Sequence, residues 1–107
     1  ELKEELGISE EFLRDFHLKY IMLRHVNGEV RVNYFFFAGL PDGICMKLQS
    51  QEGILQWFPL EEIKNLEMPL STKYAMEHYL KQGRNDKELY AGVVTHENAV
   101  FTPMPEL

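Results

Sequence analysis

Glu1, Glu4 and Glu5 are three carboxylates placed at helical spacing and followed by a glycine, within the stretch Glu1-Leu2-Lys3-Glu4-Glu5-Leu6-Gly7-Ile8. At about 100° per residue the three glutamates share an arc of roughly 100°, while Leu2 and Leu6 occupy the neighbouring face. Like charges at i,i+3 and i,i+4 cost a helix a few tenths of a kcal/mol per pair, so the cluster calls for full solvation or a cation. Grouped carboxylate oxygens are the donors that a hard cation takes, and Mg²⁺ in particular is held by a few carboxylates together with substrate phosphates. A solvated acidic helix face is the plain alternative for the same three residues.

The octapeptide resembles the second half of the Nudix box, G-x5-E-x7-R-E-U-x-E-E-x-G-U, where U is a bulky aliphatic residue. Glu1 matches the glutamate after the arginine, Leu2 the first aliphatic, Glu4 and Glu5 the paired glutamates, Gly7 the glycine and Ile8 the final aliphatic. The opening glycine, first glutamate and arginine of the box would lie before Glu1. A second segment, Trp57-Phe58-Pro59-Leu60-Glu61-Glu62-Ile63, is similar to the W-x-P-L-[DE]-E-[LI] stretch that follows the box in Nudix proteins, and it occurs in the expected order.

The resemblance implies an α/β/α sandwich built on a mixed β-sheet and an enzyme that uses Mg²⁺ or Mn²⁺. It makes Glu4 and Glu5 metal ligands, and Glu1 a ligand or the general base depending on the family branch. Glu52 lies where some Nudix enzymes place a further catalytic carboxylate, although a plain loop carboxylate beside Gly53 fits equally. The implied reaction is hydrolysis of a nucleoside diphosphate linked to another group. A nucleoside triphosphate giving monophosphate and pyrophosphate heads the list, with oxidised purine forms among the candidates. The alternatives are a Nudix-like nucleotide-binding or protein-interaction module without catalysis, and an α+β interaction domain in which the motif is accidental.

Composition fits this outline. With 107 residues, 45% hydrophobic and 12% aromatic, the chain suffices for one small domain with a packed core. A net charge of −6 would repel a long nucleic acid, so a phosphate-bearing partner needs a metal bridge and a small nucleotide is the expected ligand. Cys45, alone in the sequence, cannot close an intrachain disulfide and has no neighbouring base to activate it, which favours a reducing, cytoplasmic setting. No apolar run approaches the roughly 20 residues of a membrane span. Nothing before Glu1 caps the helix, and six residues are too few for a helix on their own. The expectation is that Glu1 lies inside a longer helix, in a domain incomplete at its N-terminus, where an uncovered sheet edge or apolar patch would favour a homodimer.

The elements that must position these residues can also be outlined. Ser9 is a candidate cap for a short helix through Phe16. Leu18 to Val26 and Val30 to Leu40 flank Asn27-Gly28 and predict a hairpin. Tyr34 to Phe37 is apolar on both faces, which predicts a central strand with core side chains. Ile54 to Phe58 reads as a strand with Trp57 in the core, or else stacked on a base, and Leu60 to Lys64 as a short helix opened by Pro59. A longer helix is expected over Thr72 to Gln82, capped by Ser71, stopped by Gly83, with Ala75, Met76, Tyr79 and Leu80 as its apolar stripe. Arg84 to Lys87 reads as a polar loop, and Leu89 to Thr95 with Ala99 to Thr102 as a final hairpin. The four histidines share no site-like spacing and are expected to be structural or exposed; Met68, Met76 and Met104 are expected to fill gaps in the core.

Overall fold

Asn27 and Gly28 both adopt positive φ, 51° and 77°, as a two-residue type I′ turn requires. They join β1 (Arg14–Val26) to β2 (Glu29–Gly39) in the computed structural model, which describes residues 13–40 and 57–107. Helix α1 (Leu70–Lys81) follows, then β3 (Tyr90–Val94) and β4 (Ala99–Pro103), with short 3₁₀ turns at Leu60–Asn65 and Gly83–Asn85. The result is a mixed α+β fold around a four-stranded open sheet in the order β2-β1-β3-β4. β1 and β3 run parallel with Tyr20 beside Tyr90, and β3 and β4 antiparallel with Gly92 beside Phe101. The chain divides into two compact units, Glu1–His17 with Phe37–Trp57, and Leu18–Phe36 with Phe58–Leu107. The second contains α1, β3, β4 and the turn end of the first hairpin.

Alternation along the strands decides what the second unit buries. Tyr20 and Met22 on β1 and Tyr90 and Gly92 on β3 are buried, while Ile21, Leu23 and Ala91 between them are partly exposed. α1 covers the first set: its Ala75 is fully buried, and His78, nearly a turn further on, reaches the Tyr20 hydroxyl. Ser71 and Ala75 are the buried positions of the helix, small residues four apart that let it lie close to the sheet. A Cβ on Gly92 would lie 2.6 Å from the Met22 sulfur, so the absence of a side chain there makes room for a core one. Burying a side chain such as Met22 is worth roughly 1.5–3 kcal/mol. On another side of α1, Met76 and Leu80 line a narrow cavity with Ile63, Leu66 and Met68, tying the first 3₁₀ turn to the helix.

Several expectations are corrected. Arg14 to Phe16 lie in β1 rather than in a helix begun at Ser9: Asp15 has φ 51°, outside the right-handed helical region, and the chain on both sides is extended. Among the described strands β2 lies at the end of the order and not at its centre, and Tyr34 and Phe36 on it are more than half exposed. Trp57 and Phe58 belong to no strand and are exposed, so neither is a core residue; Met104 is also exposed. α1 starts at Leu70 with Pro69 at the cap position, where Lys73 N–H donates to the Pro69 carbonyl at 2.9 Å. Ser71 therefore sits in the first turn, buried, with no hydrogen bond to its hydroxyl. Both hairpins hold, as does the short turn opened by Pro59, which is 3₁₀ rather than α.

Candidate functional site

The carboxylates that carry the sequence motif, Glu1, Glu4, Glu5 and Glu52, lie outside the described residues, as does Cys45. Among the described residues no group of three or more His, Cys, Asp or Glu side chains could hold a metal ion. What the described chain does bring together is a polar and aromatic cluster at the end of α1, built by β1, α1, the turn after it and β3.

Lys19 is the unexpected member, a lysine 1% exposed in the middle of an apolar strand. A buried ammonium is costly unless paired. Its partner is Asp86 in the turn leading to β3: Lys19 Nζ donates to Asp86 Oδ1 at 2.7 Å and to the Asp86 backbone carbonyl at 3.1 Å. Asp86 Oδ1 also accepts the Glu88 backbone N–H at 3.0 Å, and Oδ2 accepts the Tyr90 hydroxyl at 2.5 Å. The Tyr90 hydroxyl in turn accepts from Gln82 Nε2 at 3.2 Å, and Lys19 Nζ stands 5.4 Å from the Tyr90 ring centroid. Burial pushes the Asp86 carboxyl upward, but the hydrogen bonds from Lys19, Tyr90 and Glu88 outweigh it and hold the group down at about 2. The Tyr90 hydroxyl is correspondingly raised, first by its hydrogen bond to Asp86 and then by burial.

Tyr20 and His78 form the second half. The Tyr20 hydroxyl lies 2.7 Å from His78 Nδ1; a phenol donating to that nitrogen requires a neutral ring with its proton on Nε2. Burial lowers the basicity of His78, with Lys19 acting in the same direction and Asp86 opposing, and burial is also the main cause that raises Tyr20. The imidazole packs against Phe101 at 4.3 Å and Tyr90 at 4.4 Å between ring centroids, and Tyr20 stacks on Tyr90 at 5.8 Å. Gly83 explains how the chain passes so close: a Cβ there would strike the Tyr20 hydroxyl and lie 3.3 Å from Lys19 Cε. Beside His78, an open cleft of about 280 Å³ is lined by Tyr74, Glu77, Lys81, Glu97 and Phe101.

Chemically this cluster is a saturated network. Both Asp86 oxygens accept, Lys19 is covered and His78 Nδ1 is occupied, so neither the carboxylate nor the ammonium is poised as a nucleophile or metal ligand. It welds the end of α1 to the sheet. The histidines otherwise follow expectation, with His25 and His96 exposed. Asp86, placed by its sequence in a polar loop, is the residue that sequence reasoning missed. Lys19 inside Leu18-Lys19-Tyr20-Ile21-Met22 is the signal that could have found it, because a charge in an apolar strand must be answered from elsewhere in the chain. Comparison with protein-family models, curated proteins and solved structures found no match.

Proposed function

We propose that the chain is a Nudix-type hydrolase, dependent on Mg²⁺ or Mn²⁺, that acts on phosphoanhydride bonds of a small nucleotide. The observation that carries this reading is the ordered pair of motif matches, Glu1 to Ile8 and then Trp57 to Ile63. The architecture is compatible with it at a coarse level: a mixed sheet with a helix on one face, and a turn opened by Pro59 in which Glu61 and Glu62 occupy the first, exposed positions. The donor set also fits the metal, since clustered carboxylate oxygens match a hard, oxygen-seeking cation. Glu4 and Glu5 hold the cation, with Glu1 as a third ligand or as the base that takes the proton of the attacking water; Glu52 is the other carboxylate able to take that proton. The bound metal supplies charge neutralisation for the phosphates and acidifies a water. The expected substrate is a nucleoside triphosphate, with monophosphate and pyrophosphate as products.

The test is a nucleotide panel of triphosphates, nucleotide sugars and dinucleotides, assayed with and without Mg²⁺. Glu4→Gln and Glu5→Gln should each lower metal-dependent turnover by about 100-fold or more, the scale seen when a group stabilising transition-state charge is lost. Turnover of no member of the panel would sink the proposal.

A further inference from the structure

Among the described residues, two side-chain polar atoms are buried without a hydrogen-bond partner: Arg24 Nε on β1 and the Ser71 hydroxyl on α1. Buried groups left unpaired are uncommon and call for an explanation such as a bound water or ion. The fold brings these two to the same end of the helix, within the second compact unit. Strand alternation puts Arg24 on the α1 side of β1, with Tyr20 and Met22. Ser71 lies on the sheet-facing line of α1 with Ala75 and His78, and is 5% exposed. The helix runs opposite to β1: His78 packs on Phe101, level with Met22, Gln82 bonds to Tyr90, level with Tyr20, and Gly83 comes up against Lys19. From His78 back to Ser71 the helix covers about 10 Å, or about three residues of strand, which brings Ser71 to the level of Arg24.

We propose that this end of α1 binds a phosphate group, held by Arg24, the Ser71 hydroxyl and the first backbone N–H groups of the helix. A helix N-terminus offers unpaired N–H groups and the positive end of the helix dipole to an anion. Lys73 N–H is answered by the Pro69 carbonyl and no side chain caps the helix, so the N–H groups of Leu70, Ser71 and Thr72 are left to solvent or a ligand. The first turn holds no acidic residue, although the chain carries a net charge of −6. Among the described residues no carboxylate pairs with Arg24. Pro69 and Leu70 are exposed and Arg24 is partly so, which gives an anion access from solvent. Phosphate suits the donor set better than a carboxylate does. A guanidinium engages two oxygens at once, which uses up a carboxylate, whereas a phosphate keeps further oxygens for the hydroxyl and the N–H groups. The site needs none of the carboxylates of the sequence motif, so it stands or falls apart from the hydrolase reading.

Amide NMR of the 107-residue chain, titrated without metal against inorganic phosphate, pyrophosphate and a nucleoside monophosphate at ionic strength fixed with sodium chloride, tests the site. The expected result is a saturable shift of the Leu70, Ser71 and Thr72 amide signals with at least one of the three, at a Kd on the order of 1 mM. Tighter binding of inorganic phosphate would identify a free anion as the ligand, and tighter binding of the monophosphate a nucleotide. Arg24→Gln should raise that Kd about tenfold or more, as expected for loss of hydrogen bonds between charged groups, and Arg24→Lys should recover part of the loss. Ser71→Ala guards against a folding artefact: in chloride it should melt no lower than the parent, yet bind the anion more weakly. No saturable shift with any of the three up to about 50 mM would overturn the proposal. Binding that neither Arg24→Gln nor Ser71→Ala weakens would overturn it as well.

Discussion

Replacing Asp86 by asparagine would keep the side-chain shape and remove the charge that answers Lys19. The structure sets the magnitude in two ways. Asp86 titrates at about 2 in place of 3.8, and at 1.36 kcal/mol per unit that difference corresponds to about 2.5 kcal/mol of stability at neutral pH. Removing one partner of a buried ion pair costs about 3–5 kcal/mol, and the 26% exposure of the Asp86 side chain puts this pair at or below the lower end. An expected loss of about 2–3 kcal/mol follows, or roughly 10–20 °C in melting temperature for a chain of this size. The sign of the pH dependence is fixed as well. A carboxyl whose folded-state value is depressed contributes its stability above pH 3.8, and loses it as pH falls from there through about 2. Urea unfolding followed by circular dichroism, at pH 7 and in steps from pH 4.5 to 2, should show the difference between the two proteins shrinking across that window. A loss below about 1 kcal/mol at pH 7, or a difference that stays constant down to pH 2, would refute the account of Lys19 and Asp86 as a stabilising pair.

Gly83→Ala should cost about 2 kcal/mol by driving a methyl group into the Tyr20 hydroxyl. A double-mutant cycle of thermal melts with Tyr20→Phe should show a smaller alanine cost once that hydroxyl is gone, and additivity would argue against the contact. Ser71→Ala should stabilise the chain by about 1 kcal/mol, because it removes a buried hydroxyl without a partner and places the best helix former in the first turn; a melting temperature below that of the parent would contradict it. His78 is held below its ordinary 6.5, so its contribution is complete above pH 6.5 and declines as pH falls from 6.5 through the folded-state value. An NMR titration giving a His78 midpoint at or above 6.5 would rule this out.

Local signals carried much of the fold. Asn27-Gly28 located the first hairpin because only residues tolerant of positive φ suit a type I′ turn. Pro59 opened a turn where expected, and the sheet-facing Ala75 lay on the stripe that its helical spacing marked. Errors arose where the deciding partner is distant in sequence. Tyr34 to Phe37 reads as a doubly covered strand, and nothing within the run shows that β3 pairs with the other side of β1, leaving β2 at the end of the described strand order. Ser71 has the chemistry of a cap, but the chain bends into the helix at Pro69, whose fixed φ suits that boundary and whose carbonyl accepts the first helical bond. The carboxylates at Glu1, Glu4, Glu5 and Glu52 are legible only as sequence, since they fall outside the described residues.

The buried pair at Lys19 and Asp86 bears on where chemistry can reside. A catalytic lysine, aspartate or histidine needs a free lone pair or proton facing a space where substrate can stand. Here the carboxylate is spent on three side-chain and backbone donors, the ammonium is enclosed, and the imidazole Nδ1 is hydrogen-bonded to the Tyr20 hydroxyl. Shifted proton affinities in this cluster accordingly report a fastening between α1 and the sheet, even though perturbed groups often mark an active site. Its stability follows from the same saturation: each polar atom whose burial would be costly has its partner, so breaking any one contact exposes the cost of the rest. On the proposed reading, the hydrolytic site would draw on the carboxylates Glu1, Glu4, Glu5 and Glu52 and not on this cluster. This network would then act on turnover only through the stability of the sheet, so Asp86→Asn should lower the melting temperature while leaving kcat of the folded fraction unchanged.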